Sequence, residues 1–231
     1  MPDILLHGAP GGSPFVRKVQ IVLAEKGLAY EHVPTIPVVG PPPPGAPFPG
    51  ITRGLKAHTP LGKIPFARIG ERWLSDSSVI IAYLDRLYPD PPMYPVEPWD
   101  YARALWFEEY IDGGAVPKLF NIIFFERLIA PMLLGRPTDE GAVEKAISVD
   151  LPLIYGYLDE QVGSRAFLAG ERFSIADVAS ASFFRSMEQA GVAPDAMHFP
   201  NLTRYVAQQH SRPAVAQLIE QETTAAAGSV R

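Results

Sequence analysis

The chain has 231 residues, of which 25 are proline and none is cysteine, and its formal net charge is −5. The lack of cysteine excludes disulfides, thiolate metal sites, iron–sulfur clusters and a cysteine nucleophile, so any thiol chemistry must use a thiol that a substrate brings. The acidic balance lacks the basic footprint of nucleic-acid binding, no stretch approaches the roughly 18 apolar residues of a membrane span, and no signal peptide is visible, so we expect a cytoplasmic protein.

A βαβ unit is predicted for the first 33 residues. Residues 3–7 are short and apolar, as in a buried strand. Ser13 suits the N-cap of a helix, Pro14 suits its first position, and Gly27 suits its end. Residues 30–33 form a second predicted strand. The three elements together predict one parallel crossover unit.

Eight prolines lie in a window between Pro34 and Pro49. Each proline removes a backbone donor and crowds the preceding turn, so this window cannot be a regular helix. We expect an extended surface loop with polyproline character. It is either a plain insertion or a mobile lid or partner-docking segment.

A hairpin and a helix are predicted after this window. Residues 66–69 and 72–74 are two short strand-like runs with a two-residue gap that contains glycine. A helix then begins at Ser75 or Asp76 and ends near Pro89. Residues 1–88 therefore read as an α/β domain in the order βαβ–ββα.

The rest of the chain is predicted to be helical. Residues 89–98 contain five prolines and suit a linker. No strand is expected beyond it. The predicted helices cover roughly 99–130, 138–162, 174–190, 200–209 and 213–222, and residues 223–231 follow as a small, polar tail. The first helix contains Gly113, Gly114 and Pro117, where we expect it to bend or break.

Four segments in this order resemble motifs of the cytosolic glutathione transferase superfamily. They are residues 13–19 (SPFVRKV), 59–65 (TPLGKIP), 75–80 (SDSSVI) and 174–177 (SIAD). The resemblance covers nearly the whole chain and is to serine-type, bacterial-like members. It implies a thioredoxin-like glutathione-binding domain over residues 1–88 and an all-helical domain over 99–231. The last motif is also a capping box, to which we assign no catalysis.

The resemblance implies a site for the cysteinyl and glycyl parts of glutathione. Pro65 is then preceded by a cis peptide bond, and Ile64 offers its backbone N–H and C=O to the ligand as an added strand would. Lys63 pairs with the glycyl carboxylate. Looser candidates for that carboxylate are His58, Lys56 and Arg53.

The γ-glutamyl end is assigned by the same resemblance to the start of the third helix. Ser77 holds the carboxylate, because free N–H groups and the helix dipole favour an anion in the first turn. Asp76 holds the ammonium group, although the family more often has glutamate there. A plain N-cap serine cluster is the alternative.

Ser13 is the predicted catalytic residue. A free thiol has a pKa of about 8.5, and lowering it by about two units requires roughly 2.7 kcal/mol of anion stabilisation. A hydroxyl donor at a helix N-terminus supplies part of this, while capping alone is the structural alternative. Arg17 either adds positive charge near the sulfur or pairs internally. His7 stands where tyrosine-type members carry tyrosine, and the glycine-rich turn at 8–12 leaves the direction of the hydroxyl open.

The aromatic-rich helix after Trp99 is the expected source of an apolar pocket for the second substrate. The resemblance places part of that helix over the thiol, with Tyr110 and Phe120 as lining residues; ordinary helical core is the alternative. The five histidines show no metal-ligand spacing, so we expect no metal. We expect no bound cofactor, with glutathione as co-substrate.

The resemblance therefore implies a homodimeric glutathione transferase of detoxification type, in which the glutathione thiolate attacks an apolar electrophile between the two domains. A non-catalytic binding module of the same fold remains an alternative, motivated by the Pro41–Pro44 run and the extra glycines. A specialised glutathione-dependent lyase, dehalogenase or isomerase is another, because it shares the thiolate step.

Overall fold

A computed structural model describes residues 3–228. The chain divides into two compact units. The first comprises residues up to Pro92 together with those from Glu220 onward, and the second is Met93–Ile219. The described residues from Glu220 onward group with the first unit, although the sequence analysis assigns residues 99–231 to the helical domain.

The first unit is built on a four-stranded mixed sheet. Its strands and helices, in chain order, are β1 (Ile4–Gly8), α1 (Pro14–Glu25), β2 (Glu31–Pro34), β3 (Ile36–Val39), β4 (Gly50–Ile51), α2 (Arg53–Lys56), β5 (Phe66–Ile69), β6 (Arg72–Ser75) and α3 (Ser77–Leu87). The sheet order is β2-β1-β5-β6, with β1 parallel to β2 and the other two pairs antiparallel. The βαβ–ββα order of the sequence analysis is confirmed.

Local signals explain the limits of α1. Ser13 is its N-cap, Pro14 occupies its first turn, and Gly27 follows it with a φ of 63°. The helix packs on α3. Fully buried apolar side chains from the sheet and the two helices form the core: Leu6, Val16, Val19, Ile21, Val22, Phe66, Ala67, Ile80, Ile81 and Leu84.

The proline-rich window is irregular only in its middle. At its ends β3 and β4 pair as a separate two-stranded parallel sheet, which the sequence analysis did not predict. Pro37 lies within β3. A proline is possible there because each strand of a two-stranded sheet is an edge strand, and the proline, which has no N–H, can face the side without a neighbouring strand. The Pro41–Pro44 run lies between the strands.

The second unit is helical. Its helices, with the last one that begins in it, are α4 (Pro98–Glu109), π1 (Tyr110–Leu134), α5 (Glu140–Lys145), π2 (Ala146–Asp150), α6 (Leu151–Val162), α7 (Ile175–Gln189), α8 (Pro200–His210) and α9 (Pro213–Gly228). Within residues 3–228 no strand follows Ser75. No helix of the described chain is long and apolar enough to cross a bilayer.

Of the bend or break expected near Pro117, the break does not occur. The chain continues from α4 into π1, and Pro117 and Pro131 both lie inside that helix. In a π-helix each carbonyl pairs with the N–H five residues later, so each proline removes the bond to the carbonyl five residues before it, and the helix continues past that missing bond. The last helix also runs further than expected, to Gly228, while the tail residues 229–231 lie outside the described range.

The predicted capping box at the start of α7 is confirmed. The carboxylate of Asp177 accepts from the backbone N–H groups of Ser174 and Leu168, each at 3.0 Å, and from the hydroxyl of Tyr205 at 2.7 Å. Burial raises the pKa of Asp177 to about 6. These bonds are buried and join α7 to α8, so the box organises the helical unit.

Candidate functional site

The strand register brings the three predicted binding segments to one end of the sheet. His7 in β1 pairs with Phe66 at the start of β5, which in turn pairs with Ser75 at the end of β6. The turn after β1, the segment before β5 and the start of α3 therefore emerge at the same edge. The backbone N–H of Asp76 also donates to the carbonyl of Pro65 at 3.3 Å, which ties two of these segments together.

Ser13 lies in the turn that leaves β1. Its Oγ accepts a hydrogen bond from the backbone N–H of Val16 at 3.4 Å, as an N-cap does. The hydroxyl proton has no acceptor among the described residues. Since a hydroxyl both accepts and donates, capping leaves Ser13 able to donate to an anion at the N-terminus of α1.

The peptide bond between Ile64 and Pro65 is cis, as the resemblance implied. Within the described chain, neither the N–H nor the C=O of Ile64 has a hydrogen-bond partner. Thr59 holds the turn before it: its hydroxyl donates to the carbonyl of Lys63 at 2.7 Å and accepts from the N–H of Lys63 at 3.1 Å. An open backbone donor and acceptor on a fixed turn suit an extended peptide ligand.

The start of α3 combines an acidic and a hydroxyl group. One carboxylate oxygen of Asp76 caps the helix by accepting from the N–H groups of Ser78 (2.9 Å) and Val79 (3.3 Å). The other oxygen has no partner in the described part of the chain, and neither has the Ser77 hydroxyl. Asp76 has a φ of 83° and a ψ of 132°, a positive-φ conformation outside the left-handed helical region that L residues rarely adopt. A free carboxylate oxygen beside a helix N-terminus can receive the two charges of an amino acid head group.

The basic candidates differ in their surroundings. The side chain of Lys63 is exposed and makes no hydrogen bond or ion pair with the described residues. That of Lys56 donates to the carbonyl of Pro60 at 2.6 Å. The ring of His58 stacks on Trp73 at 4.2 Å. Lys63 is therefore the better placed cation for a carboxylate, while Arg53 in α2 also lacks a partner within residues 3–228.

Arg17 is buried and internally paired. Its guanidinium donates to both carboxylate oxygens of Glu222, at 2.7 and 3.2 Å, and to the carbonyl of Gly11 at 3.1 Å. Of the two roles left open for Arg17, the structure shows the internal pair.

His7 is not a source of charge at neutral pH. Burial lowers the pKa of His7 to about 4, with a smaller effect of His32 in the same direction. Its ring stacks on Phe66 at 4.4 Å. Because the Thr35 hydroxyl donates to the carbonyl of Val33, we infer that Nδ1 of His7 carries the proton and donates to Thr35.

Three residues with a place near this site were not singled out from the sequence. Thr59 closes the turn before Ile64, and Lys18, which is fully buried, donates to the Ser78 hydroxyl at 3.2 Å and so links α1 to α3. Thr59 and Lys18 both lie inside the quoted motifs, and this is the only feature of the sequence that could have pointed to them. Nothing in the sequence could have pointed to Glu222, since it lies 205 residues from its partner Arg17.

Tyr110 and Phe120 are both half-buried on π1 in the second unit. The Tyr110 ring lies 4.6 Å from that of Tyr157, and the Phe120 ring stacks on Phe124 at 4.6 Å. Burial raises the pKa of Tyr110, so its phenol is protonated at neutral pH and can donate a hydrogen bond. Their role as pocket residues stays a prediction.

No group of three or more histidine, aspartate or glutamate side chains among residues 3–228 is arranged to hold a metal ion. The chemistry of the site at the sheet edge is that of hydrogen-bond donors, an open backbone edge and paired charges. Groups of this kind can hydrogen-bond a small zwitterionic peptide and can stabilise an anion near Ser13.

Comparison with protein families gives two matches. The model described as the glutathione S-transferase N-terminal domain matches residues 6–92, and the one described as the glutathione S-transferase C-terminal domain matches residues 125–213. Together they cover about three quarters of the chain.

Individual relatives carry the same description. Glutathione S-transferase U4 of Arabidopsis thaliana is 24% identical over 84% of this chain and 79% of its own length. A probable glutathione S-transferase of Glycine max is 25% identical over 77% of this chain and 68% of its own.

Solved structures show the same fold. A glutathione S-transferase from Rhodospirillum rubrum F11 has a TM-score of 0.81 at 23% identity, covering 93% of this chain and 91% of its own. A theta class glutathione S-transferase from Xanthomonas axonopodis pv. citri with glutathione bound has a TM-score of 0.79 at 23% identity, with 95% and 98% covered.

Proposed function

The chain belongs to the cytosolic glutathione transferase superfamily, and on this premise we propose that it conjugates glutathione to apolar electrophiles. The observation that carries the proposal is that three sets of groups meet at one sheet edge: the hydroxyl of Ser13, the backbone of Ile64, and the Ser77 hydroxyl with the second carboxylate oxygen of Asp76. Within residues 3–228 the Ser13 proton, the Ile64 backbone groups and these two oxygens have no partner. The solved theta class relative with glutathione bound supports glutathione as the ligand.

In the proposed complex glutathione lies along this edge. Ile64 pairs with its cysteinyl backbone, Ser77 binds the γ-glutamyl carboxylate, Asp76 its ammonium group and Lys63 the glycyl carboxylate. Pro65 fixes the direction of the Ile64 carbonyl by following it. These contacts place the thiol next to Ser13, where a bound thiol gains from proximity to a fixed donor.

The reaction is a thiolate substitution. The thiol loses its proton to solvent, and the hydroxyl of Ser13 donates a hydrogen bond to the sulfur anion. The sulfur lone pair then forms a bond to the electrophilic carbon, and a leaving group such as chloride departs with the electron pair of the broken bond. The pocket for the electrophile is assigned to apolar side chains that include Tyr110 and Phe120 of π1. The chain is proposed to work as a cytoplasmic homodimer.

The test separates capping from thiolate stabilisation. Wild-type protein should turn over an activated chloronitrobenzene with glutathione, and Ser13→Ala should lower kcat/KM by about 100-fold, as the loss of one anion-stabilising donor does. Ser13→Asp is the matched control, because it keeps the helix cap but places a negative charge beside the sulfur. It should fold as well as wild type and be inactive.

Two outcomes contradict the proposal. Equal turnover by wild type, Ser13→Ala and Ser13→Asp would remove Ser13 from the chemistry. Calorimetry with no heat and no thermal shift at millimolar glutathione would instead favour a non-catalytic module of the same fold.

A further inference from the structure

The first helix and the C-terminal helix are joined by a buried ion pair. Nε of Arg17 donates to one carboxylate oxygen of Glu222 at 2.7 Å, and a terminal nitrogen donates to the other at 3.2 Å. The two side chains are 1% and 8% exposed. This two-point geometry fixes the guanidinium in plane and in direction.

The same guanidinium holds the turn that precedes Ser13. A terminal nitrogen of Arg17 donates to the carbonyl of Gly11 at 3.1 Å. Gly11 has a φ of 69°, and a Cβ built there would lie 3.6 Å from Cγ of Glu222, so Glu222 also packs directly on the turn. The backbone of Gly11 is therefore contacted both by Arg17 and by Glu222 of α9.

The space around Gly12, the residue directly before Ser13, is open. Gly12 follows Gly11, and a Cβ built on Gly12 would meet only the carbonyl of Pro10, at 3.9 Å. Glycine leaves the backbone many accessible paths, and the cap bond from Val16 to Ser13 is long, at 3.4 Å. The direction of the Ser13 hydroxyl therefore depends on how firmly Gly11 is held.

We propose that Glu222 is a positioning residue for the thiol, acting through Arg17 and the Gly11 carbonyl on the orientation of the Ser13 hydroxyl. The end of the C-terminal helix is thus part of the thiol-activating site in the first unit. The inference rests on the proposed function, since it concerns the same hydroxyl.

The pH profile decides how Arg17 acts. If Arg17 acted on the sulfur by its charge, removal of Glu222 would unmask that charge and lower the pKa of the bound thiol. If Arg17 acts by holding the turn, removal of Glu222 loosens the hydroxyl and raises that pKa. The two roles therefore predict shifts of opposite sign.

The experiment measures the thiolate absorbance of bound glutathione, and kcat/KM, against pH in wild type and in Glu222→Ala. We expect the thiol pKa to rise by about one unit and kcat/KM at pH 6.5 to fall about fivefold, with a much smaller loss above pH 9, where the thiol ionises without help. The KM for glutathione should change little, because Ile64, Asp76 and Ser77 are untouched. Glu222→Asp should recover part of the loss.

Two further variants serve as controls. Glu220→Ala removes an exposed carboxylate from the same helix and should match wild type. Arg17→Met combined with Glu222→Leu replaces the ion pair by apolar contacts, which keeps the fold if the single variant is unstable. It should show the same raised thiol pKa.

Failure of the proposed function and failure of the role of Glu222 give different results in this experiment. A wild-type protein that binds no glutathione thiolate overturns both the proposed function and this inference. A wild-type thiolate whose pKa is unchanged or lowered in Glu222→Ala, or unchanged in the double variant, overturns this inference alone.

Discussion

At the residue scale, the candidate site uses side chains in which one polar atom makes a hydrogen bond within the protein and another remains available to a ligand. Ser13 accepts a capping bond with its oxygen and keeps its proton, and Asp76 caps α3 with one carboxylate oxygen and keeps the other. Such groups cost the fold little, because the helix ends need the capping bonds in any case. They also explain why a capping motif and a binding motif look alike in sequence.

Asp76→Asn separates the charge of Asp76 from its cap. Asparagine caps a helix as well as aspartate and has the same side-chain shape, so the backbone strain at this positive φ is unchanged and the thermal midpoint should hardly change. The affinity for glutathione should fall about fivefold, since an exposed ion pair contributes up to about 1 kcal/mol. Calorimetric titration measures this.

The matched control is Asp139→Asn, which alters the N-cap aspartate of α5 in the second unit. It should leave glutathione affinity unchanged. Equal affinities in wild type and Asp76→Asn would show that the free oxygen of Asp76 does not contact the ammonium group.

At the element scale the proline-rich segment and π1 show where local sequence rules are insufficient. Prolines exclude a helix between Pro34 and Pro49, and no helix forms there. The β3–β4 pair could not be predicted, because it depends on a close backbone approach between residues far apart along the loop. In π1 the prolines do not end the helix, although each removes one backbone donor from its hydrogen-bond pattern.

Gly50→Ala tests that close approach. A Cβ on Gly50 would contact the carbonyl oxygens of Gly40 and Val38, the latter at 2.6 Å. Because backbone atoms cannot easily move aside, the free energy of unfolding should fall by about 1–3 kcal/mol. The Gly40 amide, which donates to the Ile51 carbonyl, should exchange its hydrogen faster.

Gly54→Ala in α2 is the control for this substitution. The nearest atom to a Cβ there is the Thr52 hydroxyl oxygen, 4.0 Å away, so the variant should be at least as stable as wild type. Equal stabilities of the two variants, measured by urea denaturation, would mean that the β3–β4 contact is not formed in solution.

At the scale of the whole molecule, exposed apolar surface supports the proposal of a dimer. Trp99 and Trp106 are 67% and 53% exposed, and they lie seven residues apart on α4 and so on one face of it. Large exposed apolar patches in a monomer mark interaction sites. A second copy of this chain is the partner that the family resemblance implies.

Sedimentation equilibrium should therefore give a mass near twice the 25.2 kDa of one chain at micromolar concentration. Dimers of this kind bury on the order of 800 Å² or more from each partner, enough to persist at that concentration. The same sample in strong denaturant gives the single-chain mass as a reference. A native mass near one chain would contradict the dimer.

The features that arise from neighbouring residues could be predicted from the amino-acid sequence: the βαβ–ββα order, the Ser13 cap, the capping box at Ser174 and the helical character of the second half. Caps, turns and apolar periodicity act over a few residues, so they are visible in a single chain. The family resemblance also pointed to the candidate site residues, whose segments the register of β1, β5 and β6 brings to one edge of the sheet.

The pairing of Arg17 with Glu222, the short β3–β4 sheet and the course of π1 through its prolines could not be predicted from local sequence. Each depends on a contact between distant residues or on a hydrogen-bond pattern set by surrounding packing. No local preference encodes which carboxylate, 205 positions away, neutralises a buried arginine. That contact bears on the direction of the Ser13 hydroxyl, which the glycine-rich turn had left open.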